Sequence, residues 1–308
     1  MKAIIHIGLP KVGSSSIQEF LKINGDALRT RGIRYAPFNP NFGSQYEFAA
    51  TGRLEAGDQI GDNVGREALN THSPESQRAY VDQYRDFLDA GLQTWPEPLF
   101  IGSSEHIQPW LSKPEHIAAL DDFLRQRFDT VRYVVYLRTQ PDLLLSSYSE
   151  RIRRGQTLSF ETHLKGRTKA LNFFYTVNKW EKAVGAANLD VRLMTPDALV
   201  GGDLLRDFCD VLDTPLDGLT IPPRMNSALS AEEVTLRRRL NAWMKPRRRN
   251  GHQNPLYALA LRVAGRRLPH PGTPLRLTEE QRATAETTLA PSNERLRKHR
   301  FPDRNTLF

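Results

Sequence analysis

The chain has 308 residues, of which 39% are hydrophobic and 9% aromatic, so disorder of the whole chain is excluded. Forty-three Lys and Arg against 35 Asp and Glu leave a formal net charge of +8, which favours nucleotides, polyanionic sugars, nucleic acid or acidic lipid as partners. The one cysteine, Cys209, excludes an intrachain disulfide framework and a cysteine-rich zinc site, and its apolar neighbours predict that it is buried.

The first predicted elements are a strand and a helix, joined by a loop with two glycines. Residues 3–7 form a β-branched run that is too short for a signal peptide and predicts a buried parallel strand. Residues 14–28 carry apolar side chains at helical spacing. Since about 18 consecutive apolar residues occur nowhere, we expect no transmembrane segment and a cytoplasmic protein.

Residues 39–73 contain many Asn, Gly, Asp and Ser and show little periodicity. They predict a long surface excursion, of the kind that often covers an active site and shapes what it binds.

Helices and strands then alternate along the chain. Helical patterns begin at residues 74, 114, 142 and 203, and short apolar runs predict strands at 99–102, 132–137 and 190–194. This alternation predicts an α/β fold of three layers, in which a central parallel sheet is flanked by helices.

The end of the chain differs in composition. Ser230 followed by two glutamates predicts a helix start, which leads into the basic segment 237–249. This segment is either a solvated helix face or a binding surface for an anionic acceptor or lipid. We therefore expect one domain over residues 1–308, with an α/β core at 1–215 and a helical, basic region at 216–308.

The loop after the first strand predicts a phosphate site. Residues 8–16 read GLPKVGSSS, with two glycines and a helix that starts at the serines. In such a loop the backbone N–H groups surround an anion, and the helix N-terminus adds partial positive charge. The sequence thus predicts a P-loop-like nucleotide-binding core.

The loop departs from that of nucleoside triphosphatases. Ser14 follows Gly13 where the Walker pattern has lysine, and the only lysine is Lys11, inside the loop. The later strands do not end in an aspartate that could hold magnesium. Both features weaken the case for metal-dependent triphosphate chemistry.

At this point the sequence resembles the sulfotransferases that use 3′-phosphoadenosine 5′-phosphosulfate (PAPS). Residues 10–15, PKVGSS, match the family's phosphosulfate loop at each specified position. Arg138 after a later strand, with Ser146 eight residues on, matches the family's pair that binds the 3′-phosphate. Residues 292–308 resemble the ends of bacterial carbohydrate-type members.

The resemblance implies roles for the loop residues. Lys11 would stabilise the negative charge that develops on the oxygen leaving with the 5′-phosphate. The residues expected to bind that phosphate through backbone amides and hydroxyls are Lys11, Gly13, Ser14, Ser15 and Ser16.

The resemblance also implies a base that removes a proton from the acceptor. The family places this base, His or Glu according to branch, near the end of the strand that follows the first helical section. Glu105 and His106 stand there side by side, and we favour Glu105 because carbohydrate-type relatives more often use a carboxylate.

The implied activity is sulfuryl transfer from PAPS to a hydroxyl or amine, with 3′-phosphoadenosine 5′-phosphate (PAP) as product and no metal. The expected acceptor is a carbohydrate or glycoconjugate, with no nucleic acid partner, and segment 237–249 could contact a membrane surface peripherally. Two alternatives stay open: an atypical P-loop kinase or nucleotide-binding enzyme, and a noncatalytic polyanion-binding protein that uses segment 237–249.

Overall fold

Five strands form one sheet in the computed structural model of the chain, which describes residues 1–9, 11–167, 171–223, 229–247, 253–269 and 272–308. The strands, in chain order, are β1 (Lys2–Ile7), β2 (Ile33–Tyr35), β3 (Leu99–Ser104), β4 (Thr130–Leu137) and β5 (Leu189–Leu193). They lie side by side in the order β2-β3-β1-β4-β5, and each pairing is parallel. All five therefore end at the same edge of the sheet, with β1 in the middle.

Helices occupy most of the remaining described chain. They are α1 (Ser14–Ile23), α2 (Gly25–Thr30), α3 (Tyr46–Glu55), α4 (Asn63–Leu69), α5 (Pro74–Thr94), α6 (Ile107–Trp110), α7 (Pro114–Arg125), α8 (Gln140–Arg153), α9 (Phe160–Arg167), α10 (Phe173–Val184), α11 (Leu204–Val211), α12 (Ala231–Trp243), α13 (Pro255–Gly265) and α14 (Glu279–Arg300). In the described chain, no helix combines the length and the apolar character needed to cross a bilayer.

Helices pack on both faces of the sheet. A Cβ placed on Gly102 of β3 would lie 2.4 Å from the ring of Phe48 in α3, so α3 packs directly on that face. On the other face the ring of His6 lies 6.0 Å from that of Phe208 in α11. Strands covered on both sides read as continuous apolar runs, as β1 does. The predicted α/β class, a central parallel sheet flanked by helices, is confirmed.

The chain forms two compact units. The first comprises residues 1–137, 175–225 and 308, and the second comprises residues 138–174 and 226–307. The whole sheet belongs to the first unit. Residues 138–174, which fall inside the predicted 1–215 core, group instead with the C-terminal helices.

One predicted helix is interrupted at Asn24. The pattern over 14–28 predicts one helix, but α1 ends at Ile23 and α2 begins at Gly25. The Asn24 side-chain amide donates to the carbonyls of Phe20 and Thr220, at 2.9 Å each, and its oxygen accepts from Thr220 N–H at 2.8 Å. A side chain that binds a distant segment in this way breaks the helix at that residue.

The prediction of a surface excursion over 39–73 is wrong, because α3 and α4 lie within it. In α3, Phe48, Ala49 and Ala50 are fully buried. Small residues let α3 approach α7 closely: a Cβ on Gly52 would lie 2.7 Å from the carbonyl oxygen of His116. Alanine and glycine give little hydrophobic periodicity, which explains why the sequence pattern missed this helix.

Two predictions about single residues are confirmed. Cys209 is buried at 1% exposure, and burial raises the pKa of its thiol to about 11. Ser230 caps α12 in a reciprocal arrangement: its hydroxyl accepts from Glu233 N–H at 3.1 Å, and the Glu233 carboxylate accepts from Ser230 N–H at 3.0 Å.

The second unit is built on α8 and α12. Tyr148 and Ile152 of α8 pack against Leu229 and Val234. Within the basic segment 237–249, the arginines at 237–239 lie on α12, whereas positions 248 and 249 lie outside the described residues.

Candidate functional site

The loop between β1 and α1 lies where the order of the sheet reverses. From β1 the chain passes to β2 and β3 on one side, and only then crosses to β4 on the other side of β1. In open α/β sheets, ligands bind at this switch point, beyond the carboxyl ends of the strands. The topology therefore puts the predicted phosphate loop at the expected ligand site.

The backbone of Lys11 adopts a left-handed conformation, with φ 71°. Among the described residues, the other non-glycine residues with positive φ are Asn70 and Asp213, whose short side chains tolerate it better. For lysine this conformation costs free energy, and such strain is concentrated at functional sites. Pro10, the preceding motif residue, lies outside the described residues.

The two loop glycines are required by space and by conformation. Gly13 has φ 85°, and a Cβ on it would lie 2.3 Å from Leu204 Cδ2. A Cβ on Gly8 would lie 2.5 Å from Ser14 Oγ. The loop is thus held tightly between α1 and α11.

The three serines of the loop differ in environment. Ser14 is buried at 2% exposure, and its hydroxyl donates to Leu9 O at 3.1 Å, so it shapes the loop from inside. Ser15 and Ser16 are half-buried. Gly13 O accepts from Ser16 N–H at 2.9 Å, which starts α1, and the first N–H groups of a helix are suited to bind an anion.

The structure brings Glu105 close to this loop. Gly8 N–H donates to Ser104 O, the end of β3, at 2.9 Å. A Cβ on Gly8 would lie 3.2 Å from the Cα of Glu105. A hydrogen bond therefore connects the residues at the ends of β1 and β3, and Glu105, the predicted base, is the next residue after Ser104.

A cavity of about 280 Å³ opens at this junction in the first unit. Its lining residues are Ser15, Gln18, Glu19, Phe42, Gly43, Ser44, Tyr46, Glu105 and His106. One cavity therefore contains a predicted phosphate-binding serine and both candidate bases. Residues 42–46 fall within the stretch 39–73 that the sequence predicts to cover the site, but the sequence did not single out these residues as its polar and aromatic wall.

An aromatic wall fixes the ring of His106. The ring stacks on Tyr46, with centroids 3.9 Å apart and an interplanar angle of 19°. Trp110 packs at 5.6 Å from both rings. One face of the imidazole is therefore covered by Tyr46.

Two hydroxyls hold the backbone of the candidate bases. Ser44 Oγ accepts from Glu105 N–H at 3.3 Å and lies 3.1 Å from Ser104 Oγ. Ser104 Oγ in turn accepts from His106 N–H at 3.2 Å. The cavity wall and the end of β3 thus form one hydrogen-bonded unit.

A buried carboxyl group, that of Glu47, stands behind this wall. It accepts from Phe38 N–H at 3.0 Å and from the Gln45 side chain at 3.2 Å, and Gln45 also accepts from Ser103 N–H at 2.8 Å. Burial raises the pKa of Glu47 to about 7, and its hydrogen bonds oppose that shift. The segment that forms the wall is therefore hydrogen-bonded, through Gln45, to a carboxyl group whose pKa is about 7.

His6 of β1 is also buried, but its charge state is different. Burial lowers the pKa of His6 to about 3, so the ring is neutral, and its Nδ1 lies 2.8 Å from Ser103 Oγ. It supports the sheet behind the loop.

Arg138 and Ser146 belong to the second unit. Arg138 follows the last residue of β4, and its guanidinium lies 3.7 Å from the Asp142 carboxylate, both side chains being partly exposed. Ser146 is half-buried on α8. Their action on the same ligand as Lys11 stays a prediction from the sequence.

No cluster of three or more His, Cys, Asp or Glu side chains suited to a metal ion occurs within the described residues. The loop and its cavity instead offer backbone amides, hydroxyls and a lysine, which suit an anionic ligand.

No protein-family model and no curated protein matches the chain. Among solved structures, it is similar to a sulfotransferase from Alicyclobacillus acidocaldarius, with 14% identity, a TM-score of 0.43, and coverage of 72% of this chain and 85% of that one. It is also similar to a sulfotransferase domain from the curacin biosynthetic pathway, with 13% identity, a TM-score of 0.41, and coverage of 94% and 96%. Likeness at this level assigns no residue roles to this chain.

Proposed function

We propose that the protein transfers a sulfuryl group from PAPS to a hydroxyl or amine of a carbohydrate or glycoconjugate acceptor and releases PAP. One observation carries the proposal. The strained Lys11 loop opens a helix whose Ser15 shares a cavity with the two candidate bases, Glu105 and His106. Sulfuryl transfer requires an anion site beside a proton acceptor, and the proposal assigns these two roles to the loop and to this cavity.

In the proposed reaction, the acceptor oxygen or nitrogen attacks sulfur. The bond between sulfur and the oxygen bridging to the 5′-phosphate breaks, and that oxygen leaves on PAP with the electron pair. The ammonium of Lys11 stabilises the charge that appears there, an interaction that is stronger in the transition state than before it. Gly13, Ser15 and Ser16 bind the 5′-phosphate, while Ser14 keeps the loop in shape.

The carboxylate of Glu105 takes the proton that the acceptor loses. Its main chain is held by Ser44 and lies beside the loop, so the base and the leaving-group lysine are built from adjoining segments. His106 is the alternative base; its ring stacks on Tyr46, and it lines the same cavity as Glu105.

Recognition of the 3′-phosphate is assigned to Arg138 and Ser146, as the resemblance implies. Arginine can donate two parallel hydrogen bonds to a phosphate. This contact would distinguish PAPS from ATP, which has no 3′-phosphate.

The test uses radiolabelled PAPS, excess EDTA and three acceptor classes: sugars, lipids and phenols. We expect label transfer to a sugar in EDTA, and PAP binding at least about tenfold tighter than AMP binding, since a charged hydrogen-bonded contact is lost with AMP. Phosphate transfer from ATP that needs magnesium would replace the proposal with a kinase. Absence of PAP binding would favour the noncatalytic polyanion-binding protein.

A further inference from the structure

The region from Val234 to Thr278 is strongly and uniformly cationic. It contains eleven Lys and Arg and no Asp or Glu. Its described part includes α13 and α12 from Val234 onward; the first turn of α12, just before this region, carries Glu232 and Glu233. Both helices belong to the second unit. Carboxylates three or four residues away usually neutralise arginines on a helix, but α13 contains none. The positive charge of α13 is therefore not balanced by carboxylates of the same helix.

The same region exposes large apolar side chains. Nine such side chains are exposed among the described residues, and four of them lie between positions 243 and 263. These four are Trp243 at 88% exposure, Leu256 at 66%, Leu259 at 58% and Val263 at 53%. The last three follow helical spacing, so they form one stripe along α13.

The stripe belongs to a packed helix. On the opposite side of α13, Tyr257 is buried at 3% exposure and its hydroxyl donates to Asn241 of α12 at 2.8 Å. Asn254 caps α13 and joins its start to the end of α12, donating from its N–H to Pro246 O at 2.8 Å and from its side chain to Lys245 O at 3.0 Å. Trp243 lies close to this junction in the chain.

Cations flank the stripe. Arg262 is adjacent in sequence to Val263, and Arg266 and Arg267 follow at the end of the helix; all three are exposed. A helix with one apolar face and a basic polar face is the pattern of a segment that lies in the interface of a bilayer. Tryptophan is enriched at that depth, and each Arg or Lys near an anionic surface adds attraction.

From these observations we propose that α13 and Trp243 form a docking surface for an anionic lipid bilayer. Leu256, Leu259 and Val263 insert below the headgroups, and the flanking arginines bind lipid phosphates. A second copy of the chain would bring the same uncompensated positive charge, which disfavours self-association through this face. A soluble polyanion would leave the leucines in water. The proposal is independent of the sulfuryl-transfer chemistry.

The experiment is sedimentation of the full chain with vesicles of phosphatidylcholine alone or with about one third phosphatidylglycerol. We expect binding to the anionic vesicles only, and release as salt rises to about 0.5 M. Replacing Leu256→Asn together with Leu259→Asn should lower the partition coefficient roughly tenfold. The matched control is Ile221→Asn, at 64% exposure in the first unit, which should bind as the unchanged protein does.

A second variant keeps the apolar stripe and removes charge, so that the test does not depend on one substitution. Arg262→Gln, Arg266→Gln and Arg267→Gln together should weaken binding by roughly fivefold per charge. Circular dichroism and unfolding midpoints check that each variant folds. Unchanged vesicle binding in either variant, or equal binding to neutral vesicles, would overturn the proposal. So would a dimer that the leucine variant abolishes, or binding to heparin but to no vesicle.

Discussion

The β1–α1 loop and the α13 face are both cationic, but they are built in opposite ways. At the loop, Lys11 is held in a strained backbone, and Gly13 has no room for a Cβ beside Leu204. On α13, apolar side chains more than half exposed stand among arginines without local carboxylates. As proposed, the loop would recognise its ligand through the position of one side chain, that of Lys11, whereas the α13 face would bind a surface through the number of its apolar and basic side chains. A single substitution should therefore reduce activity strongly at the loop but reduce membrane binding only slightly on the α13 face.

The largest expected effect is that of Lys11→Ala. The single-turnover rate with saturating PAPS should fall on the order of 100- to 1,000-fold, because the lysine is proposed to stabilise charge that is present only in the transition state. PAP affinity should fall less. Lys22→Ala, an exposed lysine in the last turn of α1, is the matched control and should keep the native rate. If Lys11→Ala and Lys22→Ala turn over at the same rate, the position of Lys11 in the loop has no special role in the reaction.

The next effect separates the two candidate bases. Glu105→Gln should lower the single-turnover rate on the order of 100-fold and leave PAP affinity near its native value, because a base acts on the acceptor. His106→Phe keeps the stacking on Tyr46 but has no ring nitrogen, and it should retain most of the rate. Near-native turnover by Glu105→Gln beside an inactive His106→Phe would assign the base to His106.

The smallest effect concerns Glu47, the buried carboxyl group behind the cavity wall; α13, by contrast, has no carboxyl side chain. Because the pKa of Glu47 is raised from 4.5 to about 7, the folded protein keeps a proton there that the unfolded chain releases. Its stabilising contribution is complete below pH 4.5 and is lost as pH rises through about 7.

Between about pH 5.5 and about pH 8, the native protein should lose about 2 kcal/mol of unfolding free energy that Glu47→Gln does not lose. Urea unfolding at both pH values measures this difference. Glu67→Gln, an exposed carboxyl on α4, is the control and should follow the native protein. Parallel pH profiles for Glu47→Gln and the native protein would show that Glu47 is ionised throughout.

The sequence predicted best those features that depend only on neighbouring residues, such as a strand or a helix cap. The run at 3–7 formed β1, and Ser230 with Glu233 formed the predicted cap. It failed where tertiary contacts decide the outcome. The tie of Asn24 to Thr220 spans 196 positions, and α3 is held by small residues that carry no periodic signal.

The candidate site follows the same division. Glu105 could be selected as a polar residue at a strand end, and the structure indeed brings it to the loop. Ser44 and Tyr46 could not be selected individually, because the polar, aperiodic composition of 39–73 predicts a segment that covers the site but not which of its residues lie against the end of β3. Their roles arise from contacts over about sixty positions, between residues 44 and 104.

The central place of β1 also sets the order in which a newly made chain can complete this site. The loop is synthesised before β3 and β4, yet Lys2 of β1 pairs with Leu99 of β3 on one side and with Thr130 of β4 on the other. Until the ribosome has passed residue 130, the strand that carries the loop lacks one of its two neighbours. Long-range parallel pairing of this kind is slow to form and leaves apolar strands exposed meanwhile. If the loop binds a nucleotide as proposed, a nascent chain should acquire that binding late, long after the loop has emerged.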